Sequence, residues 1–266
     1  MMKMVQHISV NGIEMDYDRF GTGERAFVIL PGLGVKSVLL TAKAVESAYS
    51  MFGEKYTVYL FDRRSNMPDP YPIRQIAHDT AVVMEALGIE GADVFGASLG
   101  GMIAMSLALE KPRLVRRMVL GSTMARINPE ISGIGRWLEL ARSGDMEGLT
   151  ASFLDNLFSE NTLGQFKDLL VHMNDDATEN DIARFIIQGN AIQEFDVLDE
   201  LPAITCPTLV IGAEGDKLIP AENSRAIADA LGGELYMYGT EYAHCVFDEA
   251  PDYKQRMMDF FGERLC

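Results

Sequence analysis

The residues best suited to chemistry in this chain stand at Gly96-Ala97-Ser98-Leu99-Gly100, a Gly-x-Ser-x-Gly string between a β-prone run from Ala92 and an apolar helical pattern from Met102 to Leu109. A strand that turns at once into a helix holds its central residue on a sharp, strained corner, and the flanking glycines leave room that a Cβ would fill. Ser98 would then project its hydroxyl into open space. A serine hydroxyl is a weak nucleophile near neutral pH. It needs a histidine to take its proton, and that histidine needs a carboxylate to fix its tautomer and stabilise the imidazolium.

Both partners occur further along the chain. The buried-strand pattern Thr208 to Ala213 ends in Glu214-Gly215-Asp216, so Asp216 sits just past a strand's C-terminal end. Another strand-like run, Glu234 to Tyr238, is followed by Tyr242-Ala243-His244-Cys245, which places His244 in the loop before the last helix. The other histidines, His7, His78 and His172, fall on an N-terminal strand, an early helix and a middle helical region. None of them follows the acid in a late loop. Asp216 has rivals in Glu214 and Asp248; the glycine before Asp216 favours a sharp exit from the strand, whereas Glu214 is expected to face solvent. The segment Leu120 to Ala125, where an acid one strand earlier would lie, has no carboxylate. The order Ser98, Asp216, His244 is that of one serine-triad arrangement and not of the two other well-known ones.

Acyl transfer also needs donors aimed at the developing oxyanion. The N–H of Leu99, first in the helix after the elbow, has no intrahelical acceptor and lies at the positive end of the helix dipole. A second donor is expected after an early strand. Ala26 to Leu30 reads as that strand, Pro31-Gly32-Leu33-Gly34 follows it, and the N–H of Leu33 is the candidate.

With these residues in place the chain resembles an α/β-hydrolase of the compact kind that includes small esterases, enol-lactonases and carbon-carbon bond hydrolases. The resemblance runs over nearly the whole chain. It rests on the turn Leu30 to Gly34, the elbow at Ser98, the helix end Leu109-Glu110-Lys111-Pro112, the acid loop from Gly215 to Pro220, and Tyr242-Ala243-His244 through Glu249-Ala250-Pro251. It implies a mostly parallel eight-stranded sheet with helices on both faces and a helical cap, and a catalytic set of Ser98, Asp216 and His244 with Leu33 and Leu99 as oxyanion donors. The chain departs from the family pattern twice. Pro31-Gly32 stands where many relatives have His-Gly, which removes a side chain that often holds that loop. The turn Asp62-Arg63-Arg64-Ser65-Asn66-Met67-Pro68-Asp69-Pro70 keeps Asp62 and Arg64 of the usual pattern but lacks both glycines, so this loop is expected to follow a different path.

The elements that must position these residues read as follows. Residues 5 to 20 form a two-strand ribbon turned at Asn11-Gly12, a strong hairpin signal. Strands and helices then alternate to Thr123, which calls for right-handed crossovers and a parallel sheet. From about Ala125 to Leu201 the strand patterns stop. Helical patterns take over around 134–141, 149–157, 163–173 and 181–195, and alternation resumes at Thr208. The expected organisation is a core of residues 1–124 and 202–266 with a helical cap at 125–201, which would exclude water and line the substrate pocket.

Composition narrows the function classes. The chain has 266 residues and a formal charge of −16, from 39 acidic and 23 basic side chains, which disfavours nucleic acid and anionic membranes by long-range repulsion. The N-terminus, Met1 to His7, has no apolar stretch of the signal-peptide kind and no run of about 18 apolar residues occurs, so a cytoplasmic location is expected. Three scattered cysteines, Cys206, Cys245 and Cys266, argue against a disulfide framework. Cys245 adjoins His244, but the elbow accounts for the histidine better, so Cys245 is read as a packed thiol; Met102 and Met105 are read as helix packing. No metal or cofactor motif is present, and the expected partner is a small-molecule substrate. The spacing leaves oligomeric state open. Two rival functions are weaker. Gly32 to Ser37 with Asp62 resembles a degraded dinucleotide fingerprint, which would make the chain an NAD-dependent oxidoreductase yet leave Ser98, Asp216 and His244 unexplained. A ligand-binding protein that keeps the scaffold without turnover is the other.

Overall fold

The computed structural model describes residues 5–127 and 133–262. Met1 to Met4, Cys266 and part of the 125–201 segment lie outside the described residues. Eight strands form one sheet: β1 (Gln6–Val10), β2 (Ile13–Phe20), β3 (Arg25–Leu30), β4 (Tyr56–Phe61), β5 (Ala92–Ala97), β6 (Val115–Gly121), β7 (Thr208–Ala213) and β8 (Glu234–Tyr238), in the spatial order β1-β2-β4-β3-β5-β6-β7-β8. Pairing is antiparallel from β1 to β2 and from β2 to β4, and parallel from β4 through β8. The hairpin turn is as its dipeptide predicts: Asn11 and Gly12 both have positive φ, 50° and 75°, the requirement of a type I′ turn.

Strands β4, β5 and β7 are buried at every residue, which explains their unbroken apolar runs, since a central parallel strand is covered on both faces. Alternate residues feed two separate cores. Val28, Leu30, Tyr59, Phe61 and Val94 join one, together with apolar residues of α2 (Ile73–Ala86), α3 (Leu99–Glu110) and α8 (Ala221–Leu231). Phe27, Ile29, Val58, Leu60 and Phe95 join the other, against Tyr49 and Phe52, which follow α1 (Ala42–Ala48), and against Met257 and Phe261 of α10 (Tyr253–Gly262). Met102 and Met105 are fully buried packing residues of α3.

The order β4-β3-β5 contains the topological switch point. From β3 the chain crosses to β4 on one side and later returns to β5 on the other, so the loops after β3 and β5 diverge and leave a crevice at the strands' C-terminal ends. The Pro31-Gly32 turn follows β3, and Ser98 follows β5.

Between β6 and β7 lie α4 (Gly133–Ser143), α5 (Met146–Leu157), α6 (Glu160–Leu170) and α7 (Glu179–Gln193). Trp137 of α4 packs on Phe153 of α5 with ring centroids 4.4 Å apart, and Phe153 lies 5.9 Å from Phe185 of α7. The sequence pattern places the third helix at 163–173, but it runs three residues earlier. The Ser159 hydroxyl accepts the Thr162 N–H at 3.2 Å and fixes the start, and the chain turns after Leu170. The strands do not stop entirely at Ala125. Arg126 and Asp196 form an isolated antiparallel bridge, Val197 N–H donates to Ala125 O at 2.8 Å, and Ile127 N–H donates to Phe195 O at 3.0 Å. Entry to the helical segment and exit from it are thus zipped side by side.

Candidate active site

Ser98 has φ 53° and ψ −120°, a left-handed conformation that a residue with a Cβ adopts only under constraint. The constraints are visible on every side. Ser98 N–H donates to Gly121 O of the neighbouring strand at 2.8 Å, and the Thr123 hydroxyl donates to Ser98 O at 2.7 Å. Glycine is obligatory around it. A Cβ on Gly96 would stand 2.4 Å from Gly100 O, and one on Gly100 would stand 1.9 Å from Leu30 O. A Cβ on Gly101 would meet the Thr123 side chain at 2.6 Å, so the elbow uses one glycine more than its motif names. The Ser98 hydroxyl makes no capping bond to α3.

His244 and Asp216 are brought together. His244 Nδ1 lies 2.8 Å from Asp216 Oδ2, with both side chains almost fully buried. The other carboxylate oxygen of Asp216 accepts the N–H groups of Leu218 at 2.9 Å and Ile219 at 2.8 Å, so both oxygens of Asp216 are engaged. Gly215 contributes differently from the sharp exit expected of it. A Cβ there would stand 2.3 Å from Tyr242 O and 2.6 Å from Thr240 O, so the missing side chain lets the acid loop lie against the chain that leads into His244. Ser98 follows β5 and Asp216 follows β7, two strands away in the same parallel sheet, about 10 Å apart across the sheet. No hydrogen bond joins the Ser98 hydroxyl to His244 among the described residues; the imidazole's bond is to Asp216.

The rivals are otherwise engaged. Glu214 pairs with Arg225 on α8, and Asp248 is exposed and lies 3.5 Å from Lys254. His7 contacts Glu14 and Asp16, His78 contacts Glu110, and His172 contacts Asp175, all at exposed positions. Cys245 is buried, and burial, followed by the nearby acidic groups Asp248, Glu249 and Asp216, pushes its thiol well above the ordinary range. It is a packed thiol rather than a poised thiolate.

The turn after β3 comes close to Ser98: a Cβ on Gly32 would lie 3.3 Å from Ser98 Cβ and 3.9 Å from its Oγ. Leu33 is half-buried against the core, and Leu99, first in α3, presents an N–H with no intrahelical acceptor. What holds this turn is Arg63, which sequence reasoning missed. Its guanidinium, buried, donates to Pro31 O at 2.5 Å and approaches Gly32 O at 3.4 Å. Burial lowers the Arg63 pKa to about 10, which still leaves a cation at neutral pH. Its own loop is anchored in turn. Arg184 of α7 donates to the carbonyls of Arg63, Arg64 and Ser65 at 2.9 to 3.3 Å, and Arg64 binds Asp79, Asn66 and Gly12 O. The two departures from the usual pattern therefore meet. The rebuilt 62–70 loop supplies from below the hold that Pro31 cannot offer.

Asp62, the residue a ribose would need in the dinucleotide reading, receives the Arg63 N–H and faces Arg184 at 3.7 Å. After Gly34 the chain makes bends and a short 3-10 turn before α1 starts at Ala42, so no helix N-terminus stands where a pyrophosphate would sit. No cluster of three or more His, Cys, Asp or Glu side chains suited to a metal occurs among the described residues, and no described helix is long and apolar enough to cross a membrane.

Comparison with known proteins agrees with this architecture. A family model described as "Alpha/beta hydrolase family" matches residues 27–253. The chain is similar to the "Serine hydrolase BPHL" of Mus musculus, 25% identical over 272 aligned residues that cover 96% of this chain and 84% of that protein. Among solved structures, MGS-M2, an alpha/beta hydrolase enzyme from a Medee basin deep-sea metagenome library, superposes with a TM-score of 0.87 at 24% identity, covering 98% of each chain. The enol-lactonase from Burkholderia xenovorans LB400 gives 0.84 at 24% identity, covering 97% of this chain and 100% of that one.

Proposed function

Because the chain belongs to the alpha/beta hydrolase family, we propose that it is a serine hydrolase that cleaves a small ester, thioester, lactone or related carbonyl substrate through an acyl-enzyme. The observation that carries this reading is a serine strained into positive φ at the switch point together with a buried His244–Asp216 couple whose members follow β8 and β7 of the same sheet.

In this mechanism Ser98 Oγ attacks the carbonyl carbon while His244 takes its proton. Asp216, held by two amides, keeps Nδ1 of the imidazole protonated and Nε2 free to act, and stabilises the imidazolium once formed. The N–H groups of Leu33 and Leu99 receive the oxyanion, and Arg63 holds the Leu33 side of that pair by gripping the preceding carbonyls. The histidine then gives the proton to the leaving group, and a water activated by the same base releases the acyl group. Helices α4 to α7 serve as the cap, residues 125–201 on a core of 1–124 and 202–266. Lys36, three residues beyond Leu33, pairs with Asp176 in the loop between α6 and α7, and Arg184 reaches the 63–65 backbone; these contacts support a cap seated over the catalytic edge.

The test is fluorophosphonate labelling with peptide mapping, followed by turnover of p-nitrophenyl esters of increasing chain length. Label on Ser98 and turnover lost in S98A are expected. An unlabelled Ser98, with no ester turned over, would overturn the reading in favour of a binding protein on this scaffold.

A further inference from the structure

Glu249 has no part in the proton relay, yet its carboxylate joins two distant pieces of the molecule. It ends the single turn α9 (Val246–Glu249), directly after His244, and folds back on its own loop. One oxygen accepts the N–H of Ala243, the residue before His244, at 3.1 Å. The other accepts the N–H of Ser159 at 2.7 Å, at the start of α6. A second link runs alongside, for Cys245 N–H donates to Leu157 O, at the end of α5, at 2.9 Å. The three-residue loop that carries His244 is therefore tied to residues 157–159 directly at Cys245 and through the Glu249 carboxylate at Ala243, while Asp216 holds the imidazole. A carboxylate offers a separate acceptor oxygen to each of the two amides. A glutamine would have to turn an NH2 toward one of them.

We infer that Glu249 is a positioning residue that locks the His244 loop to the α5–α6 junction, so that displacement of those helices and displacement of the base are one motion. This rests on the serine hydrolase reading for its effect on turnover. The consequence is that seating of the cap is reported directly at the catalytic base, without passing through the sheet. A base shifted by a fraction of an ångström to an ångström loses rate without losing substrate affinity.

The link can be cut from either end. E249A removes the acceptor. S159P removes the donor, at a position whose φ of −70° and extended predecessor Phe158 already suit proline. Because S159P also loses the hydroxyl that caps α6, S159A, which keeps the amide, isolates that effect. We expect E249A and S159P each to lower kcat on a p-nitrophenyl ester and the rate of fluorophosphonate labelling by about 10- to 100-fold, with KM changed by no more than about threefold. S159A should fall much less, and the E249A/S159P double variant should be no slower than the worse single, since both cut one link. The downfield Nδ1–H proton resonance of His244 should move or broaden in both single variants. A loss in S159A equal to that in S159P, additive losses in the double, or a folded E249A with unchanged kcat and an unmoved resonance would each overturn the inference. Should wild-type Ser98 itself resist labelling, the hydrolase reading fails, and the His244 resonance alone decides the Glu249 link. If E249A does not fold, S159P against S159A decides it.

Discussion

Ser98 stores strain that can be measured by replacing it in two ways. In S98A the Cβ stays, so the residue is still forced to φ 53°, ψ −120°. The hydroxyl goes, and because it caps nothing in α3 its removal leaves no backbone group unsatisfied. In S98G the Cβ goes as well. A residue other than glycine held in such a conformation costs roughly 1–3 kcal/mol. Glycine gives back about 0.5–1 kcal/mol through the greater freedom of its unfolded chain. The expected net gain of S98G over S98A is therefore about 0.5–2 kcal/mol. For a domain of this size, where 1 kcal/mol is worth about 2 °C, that corresponds to a rise in Tm of about 1–4 °C. Differential scanning calorimetry of the two variants, both unable to react with a fluorophosphonate, gives the difference free of any catalytic effect. If S98G melts at or below S98A, the elbow is relaxed and the strain argument fails.

Other outcomes follow from the same geometry. D216N keeps an acceptor for the Leu218 and Ile219 amides but turns an NH2 toward His244 Nδ1, which favours the wrong imidazole tautomer; kcat should fall by about 10⁴-fold with the fold intact by circular dichroism. R63M removes the grip on Pro31 O while roughly filling the volume, and should lower kcat by about 10- to 100-fold, bounded above by the loss of one oxyanion donor; an unchanged kcat would show that the turn holds itself. Cys245 should resist iodoacetamide in the folded protein, judged by peptide mapping against an unfolded control. Burial raises its thiol pKa, so the native state retains that proton where the unfolded state releases it, and stability contributed by the neutral thiol is lost only as pH climbs past the ordinary thiol value.

The parts of this site that the sequence makes legible are those with a spacing of their own. Glycines around Ser98 mark a place where Cβ atoms cannot go, and the strand patterns before Asp216 and His244 put both residues at C-terminal strand ends. The sheet is legible for the same reason, since runs such as Tyr56–Phe61 and Thr208–Ala213 are buried throughout. Arg63, Thr123 and Glu249 leave no such mark. Each acts on a carbonyl or amide of a remote segment, and backbone groups are the same at every position, so no residue type announces the partner. Only Glu249 lies within a stretch that carries the family resemblance, and its role there depends on where α6 begins. That boundary was itself legible: Ser159 followed by Glu160 is a capping signal, but the apolar periodicity from Leu163 draws the reading three residues downstream.

The zipper of residues 125–127 against 195–197 gives the molecule a modular seam. Because the two ends of the helical segment meet, a change in its length shifts no strand of the sheet and alters no pairing register. The segment can be lengthened, shortened or exchanged while Ser98 and Asp216 stay where β5 and β7 put them. His244 is the exception. Any replacement segment must again offer an amide where Ser159 stands, or give up the carboxylate that waits for it.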